Sequence, residues 1–206
     1  GYDILGSLGQ SKVYQAQDGL KYIDTTLPVE RELRENKVVS LFSGAGGLDI
    51  GLEQAGFETA VCVEIDKNCR ETLRYNRPEW SLIEDTKDGS RVPGDIRDVS
   101  VDEILKAGNL KKGEAALVVG GAPCQPFSNI GKKLGEDCPK NGDLFLEFVR
   151  VIEGVLPKGF IFENVSGITQ KKHYQVLEYM KDQFKGLGYS ISAVVLNSAN
   201  YNVPQK

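Results

Sequence analysis

The stretch "VVSLFSGAGGLDIGLEQAG", Val38 to Gly56, changes period in its middle. Val38 to Leu41 is a short apolar run suited to a strand, and from Leu48 onward apolar residues recur at helical intervals. Between them lies the turn Gly44-Ala45-Gly46-Gly47. Glycines at such a junction let backbone N–H groups come close to a ligand at the start of the helix. The same turn also serves any tight strand-to-helix connection, and the dinucleotide spacing G-x-G-x-x-G is not matched. The residues around it decide between the two.

Outward from this stretch the alternation repeats. The runs "KVVSL", "ETAVCVE", "AALVV", "GFIFEN" and "SISAVVLN" suit strands, with helices expected near 47–55, 67–76, 101–107, 144–155 and 174–185. Strands alternating with helices predict an α/β domain over residues 37–206. Runs such as "ALVV" lack polar alternation, which is expected of strands buried on both faces, with helices packed on both sides of a mostly parallel sheet. Residues 1–36 are set apart as an N-terminal extension, where "KVYQAQDGLKYI" places two β-prone arms about Asp18-Gly19, a hairpin signal. An appended arm and a small DNA-contacting module are its two readings. No internal repeat or low-complexity segment is present.

Composition narrows the class. With 206 residues, 40% apolar and 26% charged, the chain has the make-up of one main soluble domain. No apolar run approaches the roughly 20 residues of a membrane helix, and "GYDILGSLGQ" has no signal-peptide pattern, so a cytoplasmic protein with no membrane partner is expected. Cys62, Cys69, Cys124 and Cys138 form no C-x-x-C pair and His173 is the lone histidine, which points away from a metal site or a disulfide framework. The net charge of -4 gives no whole-chain attraction to nucleic acid. Such a partner would be met by local basic patches or by other polypeptide.

Four constellations carry chemistry. "CVEID" places Glu64 18 residues beyond Gly46, near the spacing at which a carboxylate at a second strand's tip meets ribose hydroxyls, so a nucleoside-containing cofactor is expected. "GDIRDV" offers Asp95 to accept from an adenine amino group and Ile96 to pack on its ring, with a helix cap as the plain alternative. "GGAPCQPFSN" places Cys124 just past the strand "AALVV", at the sheet's carboxyl edge, where open α/β sheets bind ligands. Pro123 and Pro126 fix backbone φ there and hold the thiol in one orientation, as a nucleophile requires, whereas Cys62 within an apolar strand suits a buried structural thiol. "GFIFENVSGI" then brings Glu163 and Asn164 to the end of another buried strand. Desolvation there would favour a carboxyl that holds a proton near neutrality.

The ordered series "FSGAGG", "EID", "GDI", "PCQPFS", "DLF", "ENVSGI" and "YNVPQ" resembles the cytosine-C5 DNA methyltransferase family over residues 37–206. The resemblance implies a Rossmann-like methyltransferase fold, incomplete at the C-terminus, that takes S-adenosylmethionine. It assigns the cofactor to Phe42, Ser43, Gly44, Gly46, Gly47, Glu64, Ile65, Asp95, Ile96, Pro123 and Leu144, with Phe42 and Ile96 near the adenine. Cys124 would be the nucleophile toward C6 of a flipped-out cytosine, Glu163 the acid at N3, and Asn164 its brace. Gln125, Ser128, Lys132 and Lys133 would meet the substrate. The segment "SNIGKKLGEDCPKNGD", Ser128 to Asp143, fits a mobile lid whose lysines reach phosphates.

The sequence departs from the family in one respect, for members continue beyond the "YNVPQ" motif into a target-recognition region. That region is expected from a longer chain or from a separate subunit carrying it. Double-stranded DNA in a bacterial cytoplasm or nucleoid, in a restriction-modification setting, is the expected partner. Ala122 and Ser128 favour DNA over the alternative, tRNA, whose modifying members tend to carry proline and threonine there. A third reading, an inactive cofactor-binding subunit, has no need of Cys124 or Glu163, and both are present.

Overall fold

The computed structural model describes residues 2–7, 14–15, 21–22, 36–84, 92–122 and 144–203. Its strands are β1 (Tyr2–Ser7), β2 (Tyr14–Gln15), β3 (Lys21–Tyr22), β4 (Lys37–Leu41), β5 (Glu58–Val63), β6 (Ser81–Leu82), β7 (Leu117–Gly120), β8 (Gly159–Asn164) and β9 (Ser190–Val195). Its helices are α1 (Gly47–Gln54), α2 (Lys67–Asn76), α3 (Val101–Ala107), α4 (Leu144–Val155) and α5 (Tyr174–Gly186). One sheet runs β6-β5-β4-β7-β8-β1-β9, with β6 through β8 joined by parallel pairings. β2 and β3 pair antiparallel with each other, flanking Asp18-Gly19.

Alternation along the strands explains how both faces are covered. Val39, Leu41, Val61, Val63, Val118, Phe160 and Phe162 point to one face, where they meet Ile104 of α3, Phe148 of α4 and Phe184 of α5. Val38 and Val119 point the other way, onto Leu52 and Leu48 of α1, while Cys62 meets Leu73 of α2 and Trp80. α4 buries Phe145, Phe148, Val151, Ile152 and Val155, a stripe at helical spacing. Phe145, Phe148, Phe160, Phe162 and Phe184 pack mainly edge to face, with centroid separations from 4.2 to 6.2 Å.

Local chemistry sets the helix starts. Asp66 Oδ1 accepts the Cys69 N–H at 2.9 Å and caps α2, and this bond holds the Asp66 carboxyl below its ordinary value. Ser100 and Glu103 form a reciprocal capping box on α3. α1 differs. It follows Gly46 in left-handed backbone and has no side-chain cap.

The N-terminal segment differs from the expectation of an extension standing apart from residues 37–206. β1 lies inside the main sheet, antiparallel to β8 through Tyr2↔Asn164 to Ser7↔Gly159 and antiparallel to β9 through Tyr2↔Val195 to Ser7↔Ser190. Both neighbours need it, because β8 and β9 have no pairing with each other and their facing N–H and C=O groups would otherwise be unpaired.

Candidate active site

Parallel register brings the predicted residues to one edge. Leu41 is level with Val63 and with Gly120, and Gly120 with Phe162. Phe42, Glu64, Gly121 and Glu163 therefore leave the sheet side by side at its carboxyl ends. A cleft of about 320 Å³ opens there, lined by Ser40, Leu41, Phe42, Ser43, Leu48, Asp49, Gly120, Gly121 and Glu163. Phe42 has φ 54°, a left-handed conformation that costs a bulky residue free energy and that marks the junction of strand and glycine turn.

Glu64 is buried and binds the turn directly. Its Oε2 accepts the Gly44 N–H at 2.7 Å and its Oε1 the Asp66 N–H at 2.7 Å. Beneath it the buried Arg70 guanidinium donates to the carbonyls of Glu64, Ile65 and Pro93, tying the end of β5 to the segment that carries Asp95. The two segments touch at Gly94, where φ is +72° and a Cβ would stand 1.9 Å from the Glu64 carbonyl oxygen. Glycine is required there by space and by conformation alike. Arg70 and Gly94 were not singled out by sequence; a lone arginine in an amphipathic helix gives no signal of its buried role.

Asp95 is buried and accepts from the Arg97 side chain and, at 3.1 Å, from the Arg97 backbone N–H. The Arg97 guanidinium holds its carboxyl below the ordinary value. Ile96 belongs to the main core, whereas Ile65 is 48% exposed and Phe42 is half-buried, so the latter two present the open apolar faces at this edge. Leu144 sits at the start of α4 and packs on the main core.

Glu163 lies against Gly121. A Cβ at Gly121 would stand 2.6 Å from Glu163 Oε2, so the side chain occupies the space that any larger residue would fill. Asn164 is buried and its Oδ1 accepts the Val165 N–H at 2.8 Å, which shapes the turn directly after Glu163. The 3₁₀ turn Ser166–Thr169 follows, with Ile168 buried in the main core. Pro123, Cys124, Gln125, Ser128, Lys132, Lys133 and the rest of the expected lid lie outside the described residues. Ala122, two residues before Cys124, is buried in the main core.

Cys62 is the structural thiol its sequence setting suggests: it is fully buried, and burial pushes its pKa up to about 12. Cys69 is half-buried and also free. Among the described residues no group of His, Cys, Asp and Glu has the arrangement of a metal site, and no helix is long and apolar enough to cross a membrane.

The residue that sequence missed is Asp49. An acid in the first turn of a helix ordinarily reads as a surface complement to the dipole, yet Asp49 is completely buried and neither carboxylate oxygen has a hydrogen-bond partner among the described residues. Desolvation pushes its carboxyl above the ordinary value. The folded state therefore holds a proton more tightly than the unfolded one, and stability falls as pH rises from about 4, where an unfolded aspartate ionises, toward the folded value. Asp49→Asn is expected to flatten that decline and to stabilise the protein at neutral pH, as read by urea unfolding across pH. A variant with the wild-type pH slope would show that Asp49 is not the source.

Comparison with known proteins identifies the architecture. Residues 36–206 match the family model of the C-5 cytosine-specific DNA methylases. The chain is 44% identical over 179 residues to Type II methyltransferase M.AquIA of Picosynechococcus sp., covering 83% of this chain and 68% of that one. It is 40% identical over 176 residues to Type II methyltransferase M.Sau96I of Staphylococcus aureus, covering 85% and 38%. It is 35% identical over 170 residues to Type II methyltransferase M.NgoPII of Neisseria gonorrhoeae, covering 82% and 45%. This chain thus spans under half the length of the latter two. Among solved structures, a protein described as a DNA modification methyltransferase from an E. coli prophage superposes with a TM-score of 0.55 at 28% identity, covering 73% of this chain and 38% of that one. A mutant of Spodoptera frugiperda DNMT2 shares the fold with a TM-score of 0.50 at 20% identity, over 73% and 40%. With its glycine turn, buried Glu64 and Glu163 gathered on one sheet edge, the chain belongs to the C-5 cytosine-specific DNA methylase family.

Proposed function

We propose that this chain carries the catalytic half-site of a DNA cytosine-C5 methyltransferase, with Cys124 as nucleophile and Glu163 as acid. The observation that supports it most is the position of Glu163, which lines the same cleft as the Phe42–Ser43 turn. The residues fit S-adenosylmethionine: an uncapped helix start suits a carboxylate, Glu64 suits ribose hydroxyls, and Ile65 and Phe42 offer apolar faces to an adenine. When bound, that cofactor supplies an electrophilic methyl group on a sulfonium.

The chain's own residues do the rest. Cytosine C5 is a weak carbon nucleophile inside an aromatic ring. The Cys124 thiolate forms a C–S bond at C6, and Glu163 gives a proton to N3 as the ring electrons shift, which leaves C5 enamine-like. Held at the Gly44–Gly47 turn and Glu64, the cofactor would supply its methyl group to this activated C5 and would be left as the neutral thioether. A base removes the C5 proton, the C6–S bond breaks, and Cys124 departs as thiolate. The reacting atoms are inaccessible in a stacked duplex, so the target base leaves the helix first, at a cost of roughly a few kcal/mol.

Covalent trapping tests this reading. The intact gene product, with any partner subunit, is incubated with S-adenosylmethionine and duplex DNA carrying 5-fluorocytosine, whose C5–F bond blocks the final elimination. Denaturing mass spectrometry is expected to find a methylated DNA adduct, with peptide mapping placing it on Cys124. An adduct on 5-fluorocytosine tRNA alone would transfer the chemistry to RNA. Cofactor binding with no adduct on either would sink the catalytic reading.

A further inference from the structure

One surface beside the cleft has no part in the proposed reaction. Past β8 the chain makes two 3₁₀ turns, Ser166–Thr169 and Lys171–His173, before α5 begins at Tyr174. α5 then runs back along the sheet, since Tyr189, just past its end, donates its hydroxyl at 2.7 Å to the Pro157 carbonyl ahead of β8. The Lys171–His173 turn therefore stands at the carboxyl edge, on the side where Glu163 leaves the sheet. Buried core residues hold it at both ends, Ile168 before it and Val176 and Leu177 after it. Gln170, Lys171 and Tyr174 are exposed.

Charge sets this surface apart. The chain has 29 acidic residues and a net charge of -4, yet no Asp or Glu lies between Glu163 and Glu178, and none follows Asp182. The first turn of α5 holds no acid, and Glu178 in the next is paired with Lys181 at 2.8 Å. Glu64, Asp66 and Asp95 gather instead at the end of β5, where the Glu64 carbonyl meets Gly94. β5 lies three strand spacings from β8, about 14 Å, which exceeds the roughly 8 Å over which exposed charges are felt at physiological ionic strength. Lys171 has no salt bridge among the described residues. A pinned, acid-free turn with an unpaired lysine flanked by amide and phenol donors has the chemistry that takes a phosphodiester.

We propose that the Lys171–His173 turn binds a backbone phosphate of duplex DNA beside the target cytosine, with Lys171 as the charged contact. This rests on the reading of the chain as part of a DNA cytosine-C5 methyltransferase. It makes Lys171 a residue that places the duplex over the cleft and reads no base, and it gives an acidic chain a local means of meeting a polyanion.

Fluorescence anisotropy of labelled duplex DNA with the intact gene product and any partner subunit, repeated across salt concentration, tests this. One phosphate contact contributes about 0.9 to the slope of log Kd against log salt. Lys171→Ala is expected to lower the slope by about that much and to weaken binding roughly five- to tenfold at about 0.1 M salt, equally for duplexes of any sequence. Lys171→Arg should restore the wild-type slope. Lys185→Ala should leave it unchanged, because Lys185 sits at the far end of the same helix and bridges Asp182 at 3.2 Å. A wild-type slope in Lys171→Ala overturns the proposal. So does an equal drop in Lys185→Ala, which would make the effect one of net charge, or a loss confined to one DNA sequence, which would make the contact a base reader. A drop seen with tRNA alone would make the partner RNA and overturn it as well. Titration with S-adenosylhomocysteine keeps the two readings apart. Wild type that binds this ligand but no duplex DNA removes the DNA reading itself, whereas wild type that binds duplex DNA with a slope indifferent to Lys171 removes this inference alone.

Discussion

Glu163→Gln is expected to slow methyl transfer to duplex DNA by roughly 10²- to 10⁴-fold, the usual worth of a positioned general acid. The substitution keeps the shape of the side chain and its place beside Gly121. A glutamine amide can still donate a hydrogen bond, but it cannot give up a proton to ring N3, so the adduct loses the step that relieves charge on the ring. Cofactor affinity and melting temperature are expected to stay near wild type, because Glu163 is only half-buried and lies outside the hydrophobic clusters. Single-turnover rates on the intact gene product, beside titration with S-adenosylhomocysteine, make the measurement. A rate loss under about tenfold would remove Glu163 from the role of acid.

The second large effect is on stability. Phe148→Ala is expected to cost about 3–5 kcal/mol, in the range of buried aromatic truncations. Phe148 is fully buried and touches the rings of Phe160, Phe162 and Phe184, with the Phe162 centroid 4.9 Å away. Those partners come from β8 and α5, so the void cannot close by a shift of one element alone. At about 2–4 °C per kcal/mol for a chain of this size, the melting temperature should fall by roughly 6–20 °C. The check is calorimetry on the folded protein. A fall of only a few degrees would mean that α4 repacks and that the aromatic cluster is not the main tie between sheet and helices.

Much of this architecture was legible because local signals agreed with the global fold. α2, α3, α4 and β8 have the bounds their patterns predict, since each has a clean apolar period and most end at a cap or turn residue. The candidate-site edge was legible for a different reason: parallel strands deliver Phe42, Glu64 and Glu163 to one side without any need for long-range detail. β1 escaped, because "YDILGS" has no distinctive alternation and its pairing partners lie at the far end of the sequence. β6 escaped because two residues, Ser81–Leu82, carry no period. Asp49 escaped because periodicity shows which face a residue is on, and an acid on the inner face is indistinguishable in sequence from a helix-start acid at the surface. Ile96 shows the reverse: its apolar side chain suits an adenine, and the fold uses it as core.

The position of β1 has a consequence for how this chain reaches its native state. The parallel strands β4 through β8 are joined by crossovers far shorter than the span from β1 to β9 and can assemble as the chain emerges. The slot for β1 does not exist until β8 and β9 have both been made, so β1 precedes its partners in the sequence yet docks only after them. Pairing Tyr2 with Val195 closes a loop of roughly 190 residues, an entropic cost that slows this step. Until then the edges of β8 and β9 stand open, which makes the interval before β1 arrives the time when this protein is most exposed to mispairing with other chains.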